Sequence, residues 1–428
     1  MRLAVSVFAA LLVVTVSARA DDVVSVNEVV LERVNEIRQQ NPELREDAFS
    51  KMGGSSVASK AFLYCFATDY VDLDGRAHLA DTIDYFDTGR RNSFNRQSEA
   101  AGVSWNLRYV LGGRPANFRR ELDATGARWA LVLFGSNDAQ NENERIYFKR
   151  LVYLVEQMSE MGVVPILGSA LPRRNGSRNR WIERFNLITE AVATHWSLPY
   201  IDYHAALSSL PRKGLAKDGV HPNVLPPGGH KSSCQFTEEG LRYGNNVRNL
   251  LTVEALDALR LATLAPTELG MPALADAGTD AGTDAGTDAG TDAGTVEHPD
   301  PRVDPAEAPA SVPDPLPISL LLDKSSLPMA SSLPKNCGVP KPGARHHTTR
   351  ITLDERTRLR ASALDLESYK ARILLVRHGE GAAPRCVRRR TQTLELDASP
   401  GMWDLIVEVS ERAAEQGKML LLIARDPR

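Results

Sequence analysis

Apolar residues are spaced in two ways from Asp21 to about Ala262. Apolar runs at Trp129 to Phe134 and Val163 to Gly168 read as buried strands, and Ala48 to Met52 and Pro199 to Asp202 as short ones. Between them, apolar positions recur at three- and four-residue intervals in Val26 to Gln39, Ser56 to Phe66, Glu144 to Met161, Ile182 to Trp196 and Thr237 to Leu259, which predicts helices. Strands without a polar face, alternating with helices, predict a parallel sheet covered on both sides.

The pattern then breaks. Asp276 to Thr295 is five consecutive Asp-Ala-Gly-Thr units, followed by Pro-rich sequence to about Pro342. A four-residue unit holding a glycine and a charge buries too little apolar area to offset its ordering entropy, so residues 263–342 are expected to form a linker. Its Asp/Gly spacing is similar to that of calcium-binding nonapeptide repeats, but the period is four. Residues 343–428 carry strand-like runs at Arg350 to Leu353, Ala371 to Val376, Thr391 to Leu396, Trp403 to Val409 and Met419 to Ile423, with Ser410 to Gln416 helical. They predict a small β-rich domain, and the Gly-Met-Trp-Asp-Leu run resembles accessory domains of secreted bacterial hydrolases. At the other end, Arg2, the apolar stretch Leu3 to Val16 and Ala18-Arg19-Ala20 together form a signal-peptide pattern over residues 1–20, with Asp21 the expected mature start. The mature protein is expected to be periplasmic, cell-surface or secreted, with no integral membrane segment.

Composition narrows the function. Of 428 residues 25% are charged, and the formal net charge of −3 offers no global attraction for nucleic acid. Four cysteines in an oxidising compartment allow three pairings. Cys65–Cys234 with Cys337–Cys386 keeps each bond inside one expected domain; free buried thiols are the alternative.

Three segments carry chemistry. Lys51-Met-Gly53-Gly54-Ser55-Ser56 turns from strand to helix, leaving Ser55 at a helix N-terminus, where unpaired N–H groups favour a developing anion. A serine there serves equally as a plain helix cap, and Ser56 could exchange roles with it. Gly135-Ser-Asn137-Asp138 follows a buried strand, so the Asn137 amide lies where open α/β sheets bind ligands; an Asx turn is the alternative. In Asp218-Gly-Val-His221-Pro, a carboxylate three residues before a histidine reaches the imidazole across one turn and fixes its tautomer.

Together these segments resemble the SGNH (GDSL-like) hydrolase family. Gly53-Gly54-Ser55 matches its Gly-Asp-Ser block, Gly135 to Asp138 its Gly-x-Asn-Asp block, and Asp218 to His221 its Asp-x-x-His block. The resemblance covers residues 21–262. It implies a three-layer α/β/α, flavodoxin-like fold and a serine esterase with Ser55 as nucleophile and Asp218 and His221 completing the triad. It also implies an oxyanion hole of the Ser55 N–H, the Asn137 side chain and a glycine N–H, best matched by Gly102, with Gly112 and Gly113 as fallbacks. Gly54 stands where the family usually has aspartate. No cofactor is implied. The expected substrate is an ester: an O-acetyl group on polysaccharide, a lipid ester or a small ester. An O-acyltransferase on the same triad and a non-catalytic cell-surface binding module are the alternatives.

Other signals are weaker. Arg377-His378-Gly379 looks like a histidine phosphatase motif, but no second histidine follows it. His204, His221, His230 and Cys234 lack the short spacings of zinc sites, so no metal is expected. Asp69, Asp72 and Asp74 read as a turn rather than a calcium loop. Arg388-Arg-Arg390 reads as a solvated edge, with binding of an acidic cell-surface polymer through the C-terminal domain as the functional alternative. Substrate choice is expected to lie in the loops Asp69 to Arg96 and Arg173 to Arg180.

Overall fold

The computed structural model describes residues 23–174, 179–264, 312–313, 316–329, 333, 337, 343–366, 371–379, 382–414 and 417–425. The expected signal segment, the Asp-Ala-Gly-Thr repeats and most of the Pro-rich stretch lie outside them. The chain divides into two compact units, Met1–Leu259 and Arg260–Arg428.

In the first unit, β1 (Val24–Ser25) leads to α1 (Glu28–Gln39). Asn27 caps this helix by accepting from the Val30 N–H at 3.0 Å, and Val30, Val34 and Ile37 form its buried stripe. The sheet is built from β2 (Arg45–Gly53), β3 (Ala127–Leu133), β4 (Val164–Gly168) and β5 (Tyr200–Ile201), in the order β1-β5-β4-β3-β2. β2 to β5 are parallel, with Met52 opposite Val132 and Val132 opposite Leu167. The expected parallel sheet is therefore a mixed one, because β1 adds to β5 in antiparallel fashion. On the free edge of β2, Gly53 forms a parallel bridge with Ala101. Every residue of β3 and β4 is buried, at odd and even positions alike, so both faces of the sheet are covered.

The covering helices are α3 (Ala80–Phe86) and α5 (Asn117–Thr125), which pack on β2, and α1, α6 (Glu144–Glu160) and α7 (Asn179–His195), which pack on β4. This is a three-layer α/β/α arrangement, as expected. Shorter helices lie at α2 (Ser55–Ala58), α4 (Leu107–Val110) and α8 (Tyr203–Ser208), and α9 (Gly244–Thr263) follows them.

Two helices differ from expectation. The one expected over Ser56 to Phe66 stops at Ala58, and Leu63 takes a left-handed φ of 66° before a 3-10 turn. Ala61, Phe62, Leu63, Cys65 and Phe66 are all buried. A helix buries one stripe, so a segment burying nearly every residue folds as successive turns. The helix expected from Thr237 starts only at Gly244, where a Cβ would come within 2.2 Å of the Gly214 carbonyl. Cys65 and Cys234 are bonded and fully buried.

The second unit is a β-sandwich. Its strands are β6 (Val312–Pro313), β7 (Ile318–Asp323), β8 (Arg345–Leu353), β9 (Thr357–Asp365), β10 (Arg372–Gly379), β11 (Ala382–Thr391), β12 (Thr393–Ala398), β13 (Gly401–Val409) and β14 (Lys418–Arg425), with α10 (Glu411–Ala414) before the last. The sheets run β11-β10-β13-β8-β6 and β12-β9-β14-β7. Ile373, Leu375, Leu405 and Val407 of the first join Leu359, Leu394, Leu421 and Ile423 of the second in one core. Cys337 is bonded to Cys386 on the opposite face of the first sheet, beside Leu374, Val376 and Ile406. β7, β9 and β11 were not among the strands the apolar pattern predicts.

Candidate active site

Strand β2 delivers the chain to Gly53 and Gly54. A Cβ at Gly53 would lie 2.4 Å from the Val57 side chain and 2.8 Å from the Leu133 carbonyl, so the turn into α2 closes only without one. Ser55 and Ser56 are the first residues of α2, whose N–H groups no helical carbonyl reaches. Of the two serines, Ser55 meets a base: its Oγ lies 2.7 Å from Nε2 of His221.

His221 arrives on a tight turn. Leu215 bridges Pro222, Ala216 N–H donates to the His221 carbonyl at 2.8 Å, and Gly219 takes a φ of 69°. Within that turn Asp218 Oδ2 lies 2.7 Å from His221 Nδ1, and Oδ1 accepts from the N–H groups of Val220 at 2.9 Å and His221 at 3.0 Å. Partial burial would raise the Asp218 pKa. The Val220 N–H and the His221 ring and N–H outweigh that and bring it down to about 2. An ionised Asp218 accepts the Nδ1 proton, leaving the Nε2 lone pair facing the serine hydroxyl.

Asn137 enters from the loop after β3. Gly135 turns this loop with a φ of 112°, where a Cβ would meet that of Ala170 at 2.8 Å. Asp138 braces it: its carboxylate accepts from Gly135 N–H at 3.2 Å and Leu107 N–H at 3.1 Å, and burial pushes its pKa up to about 6. Asn137 Nδ2 gives one hydrogen to the Trp105 carbonyl at 2.9 Å and keeps a second. It lies 2.8 Å from where a Cβ on Gly54 would be. Ser55, Asn137 and His221 line one cleft, together with Trp105, Arg173 and Arg248.

Gly102 does not offer the donor expected of it. Its N–H is given to the Gly53 carbonyl at 3.1 Å, completing the bridge at the edge of β2. The fallbacks fare no better: Gly112 N–H donates to Tyr109 at 3.0 Å, and neither Gly112 nor Gly113 lines the cleft.

Several residues have a part in the site that the sequence did not assign, Arg173 and Arg174 having been read only as the start of a substrate-facing loop. Arg173 donates to the Ser136 carbonyl at 2.8 Å, while Arg174 N–H reaches the Gly219 carbonyl at 3.0 Å, so this basic pair braces both the Asn137 loop and the His221 turn. Two adjacent arginines just past a strand's C-terminal end were the available signal. Arg248, a helical arginine in the sequence, is buried beneath α2.

The remaining motifs lie elsewhere. Asp72 accepts from the Asp74 N–H at 3.1 Å in a turn. His378 lies on β10 of the second unit, 2.6 Å from Asp404. Among the described residues no group of three or more His, Cys, Asp or Glu is arranged to hold a metal ion, and no helix is long and apolar enough to cross a membrane.

The family model for GDSL-like lipases and acylhydrolases matches residues 77–225, which include Asn137, Asp218 and His221; Ser55 precedes the matched segment. No curated protein matches the chain. Similar solved structures include a GDSL-like lipase from Bacteroides thetaiotaomicron, with 17% identity over 54% of this chain and 99% of that one and a TM-score of 0.33. An acetylxylan esterase from Geobacillus stearothermophilus shares 15% identity over 51% and 94%, with a TM-score of 0.32. An α/β hydrolase from the metagenome of Lake Arreo shares 15% over 50% and 96%, with a TM-score of 0.34. The chain carries a GDSL-like lipase/acylhydrolase domain, the domain of a carboxylic ester hydrolase.

Proposed function

We propose that the protein is an exported serine esterase in which Ser55 is the nucleophile, His221 the general base and Asp218 the residue that orients it. The observation carrying this reading is the unbroken hydrogen-bonded line from Ser55 Oγ through His221 to Asp218, with both links at 2.7 Å. Ser55 Oγ attacks the ester carbonyl carbon as its proton passes to His221 Nε2. The Ser55 N–H and the second Asn137 amide hydrogen receive the oxyanion, each such donor being worth about 10²- to 10³-fold in rate. The imidazolium then protonates the leaving alcohol, and water activated by His221 cleaves the acyl-enzyme. The substrate is an O-acetyl group on polysaccharide, a lipid ester or a small ester.

Two disulfides support export. The proposed organisation is a signal peptide at 1–20, a hydrolase domain at 21–262, a linker and an accessory domain; the expected linker end at residue 342 moves back ahead of β6, because β6 and β7 belong to the accessory sandwich. The accessory domain tethers the catalyst to a cell-surface polymer; equal retention on cells of the full chain and a chain ending at residue 262 would rule this out.

The test is turnover of p-nitrophenyl acetate by the purified protein and by Ser55→Ala, Ser56→Ala and His221→Ala. The reading requires loss in the first and third variants and activity in the second. A folded wild type inert towards short and long acyl esters would refute it.

A further inference from the structure

Arg248 lies on α9, 192 positions beyond Ser56 in sequence, and is only 1% exposed. Its Nη1 donates to the Ser56 carbonyl at 3.3 Å and, weakly, to Asn245 Oδ1 at 3.5 Å. The guanidinium carbon sits 4.3 Å from the ring centre of Phe62 and 5.6 Å from that of Tyr203. Its Nε is buried without an acceptor. Other buried arginines of this unit face carboxylates: Arg128 lies 2.8 Å from Glu46 and Arg184 lies 3.9 Å from Glu144. Among the described residues Arg248 faces none, and it lines the cleft shared by Ser55 and His221. Burial lowers its pKa only to about 10, so it stays charged at neutral pH.

A buried cation without a carboxylate is costly, and two aromatic faces and one carbonyl recover only part of that cost. Holding the Ser56 carbonyl does not need a charge, since a neutral amide donates as well. The proposed reaction, however, creates an anion one residue away. We propose that Arg248 is a positioning residue for the nucleophile: it fixes the Ser56 carbonyl, and so the first turn of α2, while its pre-set charge favours the oxyanion formed at Ser55. This rests on the esterase reading. Its contacts are with the Ser56 carbonyl, Asn245, Phe62 and Tyr203 rather than with the Ser55 or His221 side chains, so it acts through α2 and through its field, strengthened by its burial.

The test compares full-length Arg248→Gln, Arg248→Met and Arg248→Lys with the wild type. The readouts are kcat and KM on p-nitrophenyl acetate, the rate at which a fluorophosphonate labels Ser55, and the thermal midpoint. The expected result is a fall in kcat and labelling of about 30- to 100-fold in Gln and Met. KM should stay within about threefold, the Met midpoint should match or exceed wild type, and Lys should lose less than about tenfold. Should Met fail to fold, the Gln and Lys pair carries the comparison. Wild-type kcat in Gln, or Lys as slow as Gln, overturns the proposal. A rise in KM alone also overturns it, in favour of a receptor for anionic substrates. A wild type that neither turns over nor labels at Ser55 overturns the esterase reading and this proposal with it; an active wild type with an equally active Gln variant overturns this proposal alone.

Discussion

Adding one carbon at Gly54 should silence the enzyme while leaving it folded. The backbone at Gly54 has a φ of −83°, which any residue adopts, so Gly54→Ala carries no conformational penalty. A new Cβ, however, falls 2.8 Å from Asn137 Nδ2, about 0.6 Å short of ordinary contact. Asn137 is the tip of a side chain and moves at little cost to stability. Moving it straight away from the new Cβ by that amount lengthens its 2.9 Å bond to the Trp105 carbonyl only to about 3.2 Å, so that bond survives while the second amide hydrogen is carried out of place. Catalytic donors tolerate displacements of roughly 0.5 Å. One misplaced oxyanion donor is worth about 10²- to 10³-fold in kcat, or about 3–4 kcal/mol. Stability should hold or rise by up to about 1 kcal/mol, since alanine restricts the unfolded chain. Gly54→Asp, which restores the residue usual in the family, should fail for the same steric reason. The assay is p-nitrophenyl acetate turnover paired with a thermal melt. An alanine variant within threefold of wild-type kcat would refute the reasoning, as would lost activity that merely tracks a lowered midpoint.

Two further outcomes follow from the same structure. The Asp218 carboxyl titrates near 2 when folded against an ordinary 3.8, so the unfolded chain takes up its proton first. Its stabilising contribution is therefore complete above about pH 5 and disappears as pH falls through 3.8 towards 2; a urea-midpoint gap between wild type and Asp218→Asn that stays constant from pH 6 to pH 2 would contradict this. Replacing Cys65 and Cys234 by alanine opens a loop spanning 169 positions, which chain entropy values at about 5 kcal/mol. A urea-denaturation loss below about 1 kcal/mol would show that the unfolded state does not feel the link.

What the sequence disclosed of the site was what is local in it. Asp218 and His221 are three apart, so their contact follows from one turn; Asn137 sits at the end of the unbroken apolar run Trp129 to Phe134, and Ser55 after a strand marked by its closing glycine pair. Gly102 misled because whether a glycine N–H is free depends on which strand edge it meets; here it is bonded to Gly53. Arg248 was invisible because a helical arginine normally reaches solvent, and only the packing of Phe62 and Tyr203 around it makes it a buried charge. The Ser56 to Phe66 helix failed on a similar ground, because a run of apolar residues does not reveal which of them will share a face. In the second unit, β9 sets Leu359 between Arg358 and Arg360 and continues in small residues, and β11 carries Arg388-Arg-Arg390, so neither shows an apolar run like those of β10 and β13.

The turn holding both Asp218 and His221 makes half of the catalytic apparatus a portable cassette. Its internal geometry depends on a handful of neighbouring residues and on bonds that begin and end within the turn. What that pair itself requires over long range is the alignment of His221 with Ser55 across 166 positions. Insertions in the loops between them leave the acid–base pair intact as long as the sheet holds its register. Such a scaffold can vary its substrate-facing loops in length and charge without rebuilding its chemistry, so divergence in specificity is mechanically decoupled from divergence in mechanism.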